Sequence, residues 1–269
     1  MNELVKILCV GDVIGSPGLI LFSKHISALK KEFSIDATIV NGENSAVNGR
    51  GITSLAANEL LRSGADFITG GNHSFDQREV YETLSNLDFP LLRPANFPAG
   101  CPGRGVGFVS LPNGHKIGVI NLQGRIFSRQ QLECPFKALD SILTFVRSQT
   151  NIIIVDFHAE ATSEKAGFAY FADGRVSAIF GTHTHVQTAD ERILPNGTGF
   201  ITDIGMIGAL NSMIGMKKDP IIHNMRTQLP VKFEVDTEPP FVISGIVFTI
   251  EKTSGKTVAI ERIFKTYQQ

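Results

Sequence analysis

The sequence contains few cysteines, and none of them suggests a disulfide or a structural metal site. Cys9, Cys101 and Cys134 are the only three in 269 residues, with no Cys-x-x-Cys spacing between them. Disulfide frameworks belong to oxidising compartments, and spaced cysteine pairs are typical of structural zinc sites. We therefore expect free thiols and a reducing, cytoplasmic environment.

Net charge and long apolar stretches are also lacking. The chain carries 25 basic and 26 acidic residues, a formal net charge of −1. Proteins that bind nucleic acids or membrane surfaces generally have a basic excess, although a near-neutral chain is compatible with a nucleotide substrate. No apolar run approaches the roughly 20 residues that span a bilayer, and the N-terminal run is too short for a secretory signal. We expect neither a membrane partner nor a stable nucleic-acid partner.

Short apolar runs of the strand type alternate with polar loops and helix-period segments. The strand-like runs are VKILCV (5–10), DATIV (36–40), ADFIT (65–69), NIIIVDF (151–157) and VSAIF (176–180). Apolar residues at three- and four-residue steps over 22–33 predict a helix, and a second helix is predicted between an N-cap at Thr53 and a stop at Gly64. This alternation is typical of an α/β protein.

Two segments near the middle and the end of the sequence predict antiparallel hairpins. Residues 105–122 form two strand patterns around the turn PNG, and residues 245–264 form two around SGK. The sheets should therefore be mixed and not purely parallel. No internal repeat and no linker interrupts the chain, so we expect a single domain over residues 1–269.

Polar residues with metal-binding atoms follow five of the predicted strands. They are Asp12, Glu43, Asn44, Asn72, His73, His158, His183 and His185. Loops beyond the carboxyl ends of strands gather at one edge of an α/β sheet, so these residues can converge. In extended backbone, positions i and i+2 point to the same side, which would aim His183 and His185 at one place. Taken singly, each has a structural interpretation that is the more common one: Asp12 as a turn residue or helix cap, and His158 as a hydrogen-bonded core histidine.

The combined set of donors indicates a metal centre. Carboxylate, amide and imidazole donors suit manganese, iron or zinc, and the absence of cysteine from these loops argues against a structural zinc site. About seven ligands exceed what one ion takes, which favours two ions bridged by a carboxylate about 3.5–4 Å apart. Such pairs clamp phosphate oxygens and activate water for attack on phosphoesters.

The ordered motifs GD, NGEN, GGNH, DFHAEATSEK and GTHTH resemble those of the calcineurin-like metallophosphoesterases, and most closely the bacterial YmdB-like phosphodiesterases. The segments RPANFP (93–98), NLQGRIF (121–127) and TDIGMIG (202–208) extend this resemblance over nearly the whole chain. Two departures from the wider superfamily, Ile14 in the first motif and Glu43 as the bridging acid, are shared with the YmdB-like family. The resemblance implies one metallophosphoesterase domain, a layered sandwich of mixed β-sheets flanked by helices.

The resemblance also implies roles for individual residues. One metal ion would be held by Asp12, Glu43, Asn44 and His185, and the other by Glu43, Asn72, His158 and His183. Glu43 would bridge the two ions, and His73 would act as a general acid without binding metal. The ions would be divalent or trivalent, iron or manganese, with zinc or magnesium as alternatives.

The activity implied by the resemblance is hydrolysis of cyclic nucleotides, with 2′,3′-cyclic AMP as the expected substrate. A hydroxide bridging the metals would attack phosphorus while the histidine acid protonates the leaving oxygen. Two alternatives stay open: a phosphomonoesterase or nuclease of the same fold, and a regulatory protein that senses a nucleotide with little turnover. A homo-oligomer is expected, since symmetric dimers are the commonest form of soluble proteins that oligomerise.

Three further polar residues near these motifs have two interpretations each. Asp156 either orients His158 or faces solvent, and Asp203 is assigned a structural role more readily than one at the site. Arg50 either binds a substrate phosphate or is a solvated loop residue.

Overall fold

The computed structural model describes residues 3–112 and 114–268. Its strands are β1 (Leu4–Val10), β2 (Asp12–Val13), β3 (Ala37–Asn41), β4 (Phe67–Thr69), β5 (Val106–Ser110), β6 (Lys116–Gln123), β7 (Ile152–His158), β8 (Ala178–Thr182), β9 (Arg192–Ile193), β10 (Gly199–Ile201), β11 (Met206–Ala209), β12 (Phe241–Glu251) and β13 (Thr257–Tyr267). Its helices are α1 (Gly15–Phe33), α2 (Ser54–Ser63), α3 (Val80–Ser85), α4 (Pro135–Arg147), α5 (Thr162–Ala172) and α6 (Lys218–Thr227).

These strands form two mixed sheets. The first has seven strands in the order β2-β11-β12-β1-β3-β4, with β13 also paired to β12. Within it β1, β3 and β4 are parallel, whereas β12 is antiparallel to β1 and β13. The second has six strands in the order β5-β6-β7-β8-β10-β9, parallel from β6 to β10 with antiparallel strands at both edges. The predicted mixed α/β architecture is confirmed.

Strand β1 shows how the sequence pattern produces the layers. Alternate side chains of a strand point to opposite faces of the sheet. Val5, Ile7 and Cys9 pack into the core between the two sheets, whereas Leu8 and Val10 pack under the helices. Both faces are therefore buried, which explains the continuous apolar run in the sequence.

Three apolar layers hold the two sheets and the helices together. The core between the sheets joins residues such as Ile39 of the first sheet to Phe180 of the second. Helices α1, α2 and α3 cover the outer face of the first sheet, where Phe22 is fully buried. Helices α4 and α5 cover the outer face of the second sheet around Phe168. The order of layers is helix, sheet, sheet, helix, which is the predicted sandwich.

The two helix predictions agree with the structure except at the start of the first helix. Helix α1 begins at Gly15, ahead of the predicted segment 22–33, and it tolerates Pro17 because the N–H that proline lacks has no helical partner in the first turn. Thr53 caps α2 by accepting from the Ala56 N–H at 3.1 Å, and the helix ends at Gly64 with φ 123°. The cap and the stop are confirmed.

Both predicted hairpins are present as antiparallel pairs, β5 with β6 and β12 with β13. The turn residue Asn113 of the first hairpin lies outside the described residues. Among residues 3–112 and 114–268, no helix has the length and hydropathy required to cross a membrane.

Candidate metal centre

Strand ends place every predicted ligand at the same edge of the molecule. Each lies within three residues of the end of β1, β3, β4, β7 or β8, all of which have parallel partners. The carboxyl ends of parallel strands share an edge, and the two sheets are packed with these edges together. The structure brings all eight predicted residues into one continuous set of contacts there.

His158 presents one ring nitrogen to this cluster because its other nitrogen is engaged behind it. Thr182 donates its hydroxyl to Oδ1 of Asp156 at 2.7 Å, so its oxygen accepts from Nδ1 of His158 at 2.9 Å. Nδ1 therefore carries the proton, and Nε2 faces Oδ1 of Asn72 at 2.8 Å and Oε1 of Glu43 at 3.1 Å. This is the arrangement that metal-binding histidines show.

The two histidines of the GTHTH segment are oriented in the same way. His183 Nε2 lies 3.0 Å from the Glu160 carboxylate, which leaves Nδ1 only 3.1 Å from Nε2 of His158. His185 Nδ1 lies 3.0 Å from the carbonyl oxygen of Ile214, which leaves Nε2 facing the cluster. Both residues have positive φ, 100° and 63°, so the segment is not the extended strand that the i, i+2 argument assumed. The rings consequently point at different parts of the cluster.

Asp12 supplies a carboxylate oxygen without a partner. Its side chain is fully buried, and Oδ1 has no hydrogen-bond partner among the described residues. The nearest ring nitrogen is Nε2 of His185 at 3.8 Å, while Oδ2 accepts from the backbone N–H of His183 at 3.3 Å. A buried carboxylate oxygen without a donor is costly, and a cation between Asp12 and His185 would satisfy it.

Glu43 joins the two halves of the cluster, one around Asp12 and His185 and the other around His158 and His183. Its Oε1 lies 3.1 Å from Nε2 of His158 and 3.2 Å from the amide nitrogen of Asn44, which in turn lies 3.2 Å from Nε2 of His185. Its Oε2 accepts from the backbone N–H of His73 at 3.0 Å. Ligation by Asn44 would require its amide oxygen at the position of the nitrogen, a rotation about its last side-chain bond.

Gly71 leaves the space that this cluster needs. A Cβ atom at this position would lie 2.2 Å from Oε2 of Glu43 and 2.5 Å from Nε2 of His158. A carboxylate oxygen of Glu43 and ring nitrogens of His158 and His183 all lie within 4.8 Å of one another. Three donors converging on one point, with glycine beside them, fit a metal ion better than a packed core.

The charges of the cluster are strongly coupled. Burial would raise the pKa of Glu43, but the ring of His158 outweighs it and lowers that pKa to about 2. Burial lowers the pKa of His158, but Glu43 dominates and raises it to about 9. Burial raises the pKa of Asp12 to about 7, and burial together with the charge of His158 lowers the pKa of His183 to about 3. A cation would replace the proton on Nε2 of His158, the ring nitrogen that faces the cluster, and would favour the ionised form of Asp12.

His73 lies at the rim and not within the cluster. Its ring is partly exposed, and Nδ1 lies 2.8 Å from Oδ2 of Asp76. The same oxygen accepts from Nε of Arg50 at 2.5 Å. Arg50 therefore forms an ion pair with Asp76 and is not only solvated. Sequence reasoning missed Asp76, although its position three residues after His73 was a readable signal.

Asp203 and Asp156 both lie behind the cluster, fully buried. Asp156 acts through Thr182 and does not touch His158 directly, and burial raises its pKa to about 6. Asp203 lies 2.8 Å from the buried ammonium of Lys165 and accepts from the backbone N–H and the hydroxyl of Thr184, the residue between the two histidines. Both aspartates therefore support candidate ligands indirectly.

Comparisons with known proteins show which family and fold this chain shares. The family model described as YmdB-like protein matches residues 8–263. A Bacillus subtilis (strain 168) protein named 2′,3′-cyclic-nucleotide 2′-phosphodiesterase is 46 % identical, covering 96 % of both chains. A solved structure from Thermus thermophilus superposes with a TM-score of 0.90 at 35 % identity, covering 97 % of this chain and 99 % of the other. A structure described as a novel phosphatase from Mycoplasma pneumoniae gives 0.91 at 32 %, covering 99 % and 95 %.

The fold and the donor set define a phosphoesterase of the layered α/β type. The chain belongs to the YmdB-like protein family, as the resemblance in its motifs predicted.

Proposed function

We propose that this chain is a metal-dependent phosphodiesterase that hydrolyses 2′,3′-cyclic nucleotides within a single domain over residues 1–269. The observation that carries the proposal is the orientation of three histidines. Each has one ring nitrogen engaged by an acceptor, and each presents the other to a cluster that contains the unpartnered carboxylate oxygen of Asp12. The phosphodiesterase class agrees with the name of the Bacillus subtilis relative.

The residues present fit a pair of cations. Asp12, Asn44 and His185 would hold one, Asn72, His158 and His183 the other, and Glu43 would bridge them. When bound, such a pair supplies positive charge for phosphate oxygens and lowers the pKa of water. Oxygen and nitrogen donors favour iron or manganese, with zinc or magnesium as alternatives.

His73 has the geometry of a proton donor to the leaving group. Asp76 accepts from Nδ1 at 2.8 Å and fixes the ring, which leaves Nε2 to protonate the departing ribose oxygen. The backbone N–H of His73 donates to Oε2 of Glu43 and keeps the residue beside the cluster. Cleavage at the 2′ ester, as in the name of the relative, would leave a nucleoside 3′-monophosphate.

Replacing His73 with alanine tests this role. The kcat for 2′,3′-cyclic AMP should fall by about 10²–10⁴-fold, the usual contribution of general acid catalysis, while the metal content is retained. Bis(4-nitrophenyl) phosphate, whose leaving group needs no proton, should lose much less. His223→Ala, on the surface helix α6, is the matched control and should behave as wild type in both assays. An unchanged kcat for the cyclic nucleotide in His73→Ala would remove His73 from the mechanism.

A phosphomonoesterase activity is the second candidate, because a solved neighbour is described as a phosphatase. Measuring turnover of nucleoside monophosphates and of cyclic nucleotides separates the two activities, because only a phosphomonoesterase hydrolyses the monophosphates. A nuclease would bind RNA oligomers with a strong dependence on salt, which the near-neutral charge does not favour. A nucleotide sensor would bind the cyclic nucleotide with little turnover, so binding and turnover should be measured together.

The cellular setting stays a prediction. Cys9, Cys101 and Cys134 are all free thiols, which supports a reducing, cytoplasmic location. A small-molecule substrate is expected in place of a stable nucleic-acid or membrane partner. A homo-oligomer is expected from the frequency of symmetric dimers, and light scattering would test it.

A further inference from the structure

Phe127 has an unusual conformation and an unusual exposure. Its φ is 62°, in the left-handed region that bulky side chains rarely adopt. Its side chain is 83 % exposed, so burial does not compensate for this strain. Strained residues that the surrounding structure holds in place cluster at functional sites.

The surrounding chain holds Phe127 in this conformation. The buried carboxylate of Glu164 accepts from the backbone N–H of Arg125 at 2.8 Å and of Ile126 at 3.1 Å. The backbone N–H of Ser128 donates to the Arg125 carbonyl at 3.1 Å and closes a turn around Phe127. The ring is therefore displayed on a fixed turn and is not a side chain of a loose loop.

Both ends of this turn are attached to candidate metal ligands. The N–H of Gly124 donates to the His158 carbonyl at 2.9 Å, and Nε2 of Gln130 donates to the Asn72 carbonyl at 2.9 Å. Phe127 is three residues from each anchor. At a maximal span of about 3.6 Å per residue, its Cα lies within about 11 Å of both. The turn that displays the exposed ring is therefore hydrogen-bonded to the backbone of two candidate ligands, His158 and Asn72.

We propose that Phe127 is the platform on which the nucleobase of the substrate stacks. This inference rests on the proposed function and deepens it. In a 2′,3′-cyclic nucleotide the ribose separates the phosphate from the base, so a phosphate at the metal centre carries its base toward the rim. An exposed aromatic ring offers every base a stacking surface without reading its hydrogen-bonding edge. The preferred ligands are then nucleoside phosphates, in contrast to phosphodiesters that lack a base.

A pair of substrates that differ only in the base tests the stacking. They are 2′,3′-cyclic AMP and methyl riboside 2′,3′-cyclic phosphate, which has no base. Phe127→Ala should raise the KM for cyclic AMP about tenfold, with a small change in kcat and no change for the base-free substrate. Phe127→Trp should retain the wild-type KM because it restores a stacking surface. Tyr170→Ala, which removes an aromatic ring 60 % exposed on α5, should leave both substrates unaffected.

Two further measurements keep the outcome independent of folding and of turnover. Phe127→Gly removes the ring and the backbone strain together, so its melting temperature should equal or exceed that of wild type while its KM for cyclic AMP rises. Calorimetric binding of adenosine 3′-monophosphate should weaken about tenfold in Phe127→Ala, whereas binding of inorganic phosphate should not change. Wild type that turns over neither substrate would refute the proposed function, and the calorimetric comparison would still decide the role of Phe127. Equal effects on ligands with and without a base, or no effect at all, would overturn the stacking.

Discussion

Replacing Lys165 with methionine should lower the free energy of unfolding of the metal-free protein by about 3–5 kcal/mol, because it leaves the buried charge of Asp203 without its partner. Lys165 is 1 % exposed and Asp203 is fully buried. The Asp203 carboxylate also fixes Thr184 between the two histidines, so metal affinity should fall as well. Urea unfolding of the metal-free variant measures the first effect, and metal titration of the folded protein measures the second.

Two companion variants separate the buried pair from a general loss of charge. Lys217→Met breaks an exposed pair with Glu234 and should change stability little. The double variant Lys165→Met with Asp203→Asn removes both charges and should recover much of the loss, since no unpaired charge is left. If Lys165→Met proved as stable as Lys217→Met, the ion pair would not support the histidine segment.

Replacing Glu43 with glutamine should lower turnover by more than about a thousandfold. Paired metal ions would supply several kcal/mol of transition-state charge stabilisation, and Glu43 is the residue placed between both halves of the cluster. The variant keeps the shape of the side chain and loses its charge. Metal content per chain, measured after gel filtration, should fall together with turnover.

Glu164→Gln is the matched control for this loss. Glu164 is also a buried glutamate, but the hydrogen bonds it accepts come from the backbone of Arg125 and Ile126 and not from the metal cluster. Its metal content should equal that of wild type. Full metal occupancy and near-normal turnover in Glu43→Gln would show that Glu43 does not bridge ions.

The sequence predicted that the candidate ligands lie close together, because strand topology alone decides which loops meet. Polar residues at the carboxyl ends of strands meet at one edge whenever the strands are parallel and adjacent, as β7 and β8 are. His158 and His183, at these two ends, accordingly lie 3.1 Å apart between Nε2 and Nδ1. The buried strands and the α2 cap were predictable for a different reason, because they depend on local sequence patterns.

Contacts that orient the ligands were not predictable because they depend on tertiary placement. The carbonyl of Ile214, which engages His185, comes from a segment 29 residues further along the chain. Lys165 sits in a helical segment where lysine is normally exposed, and only the folded structure pairs it with Asp203. The positive φ of Phe127 has no signal in a sequence that places a bulky side chain there.

Paired cations beside Glu43 are the central claim, and anomalous X-ray scattering from crystals of the metal-loaded protein tests them most directly. We expect two peaks about 3.5–4 Å apart, one beside Asp12 and His185 and one beside His158 and His183, with Glu43 between them. A single peak, or peaks away from these side chains, would contradict the account.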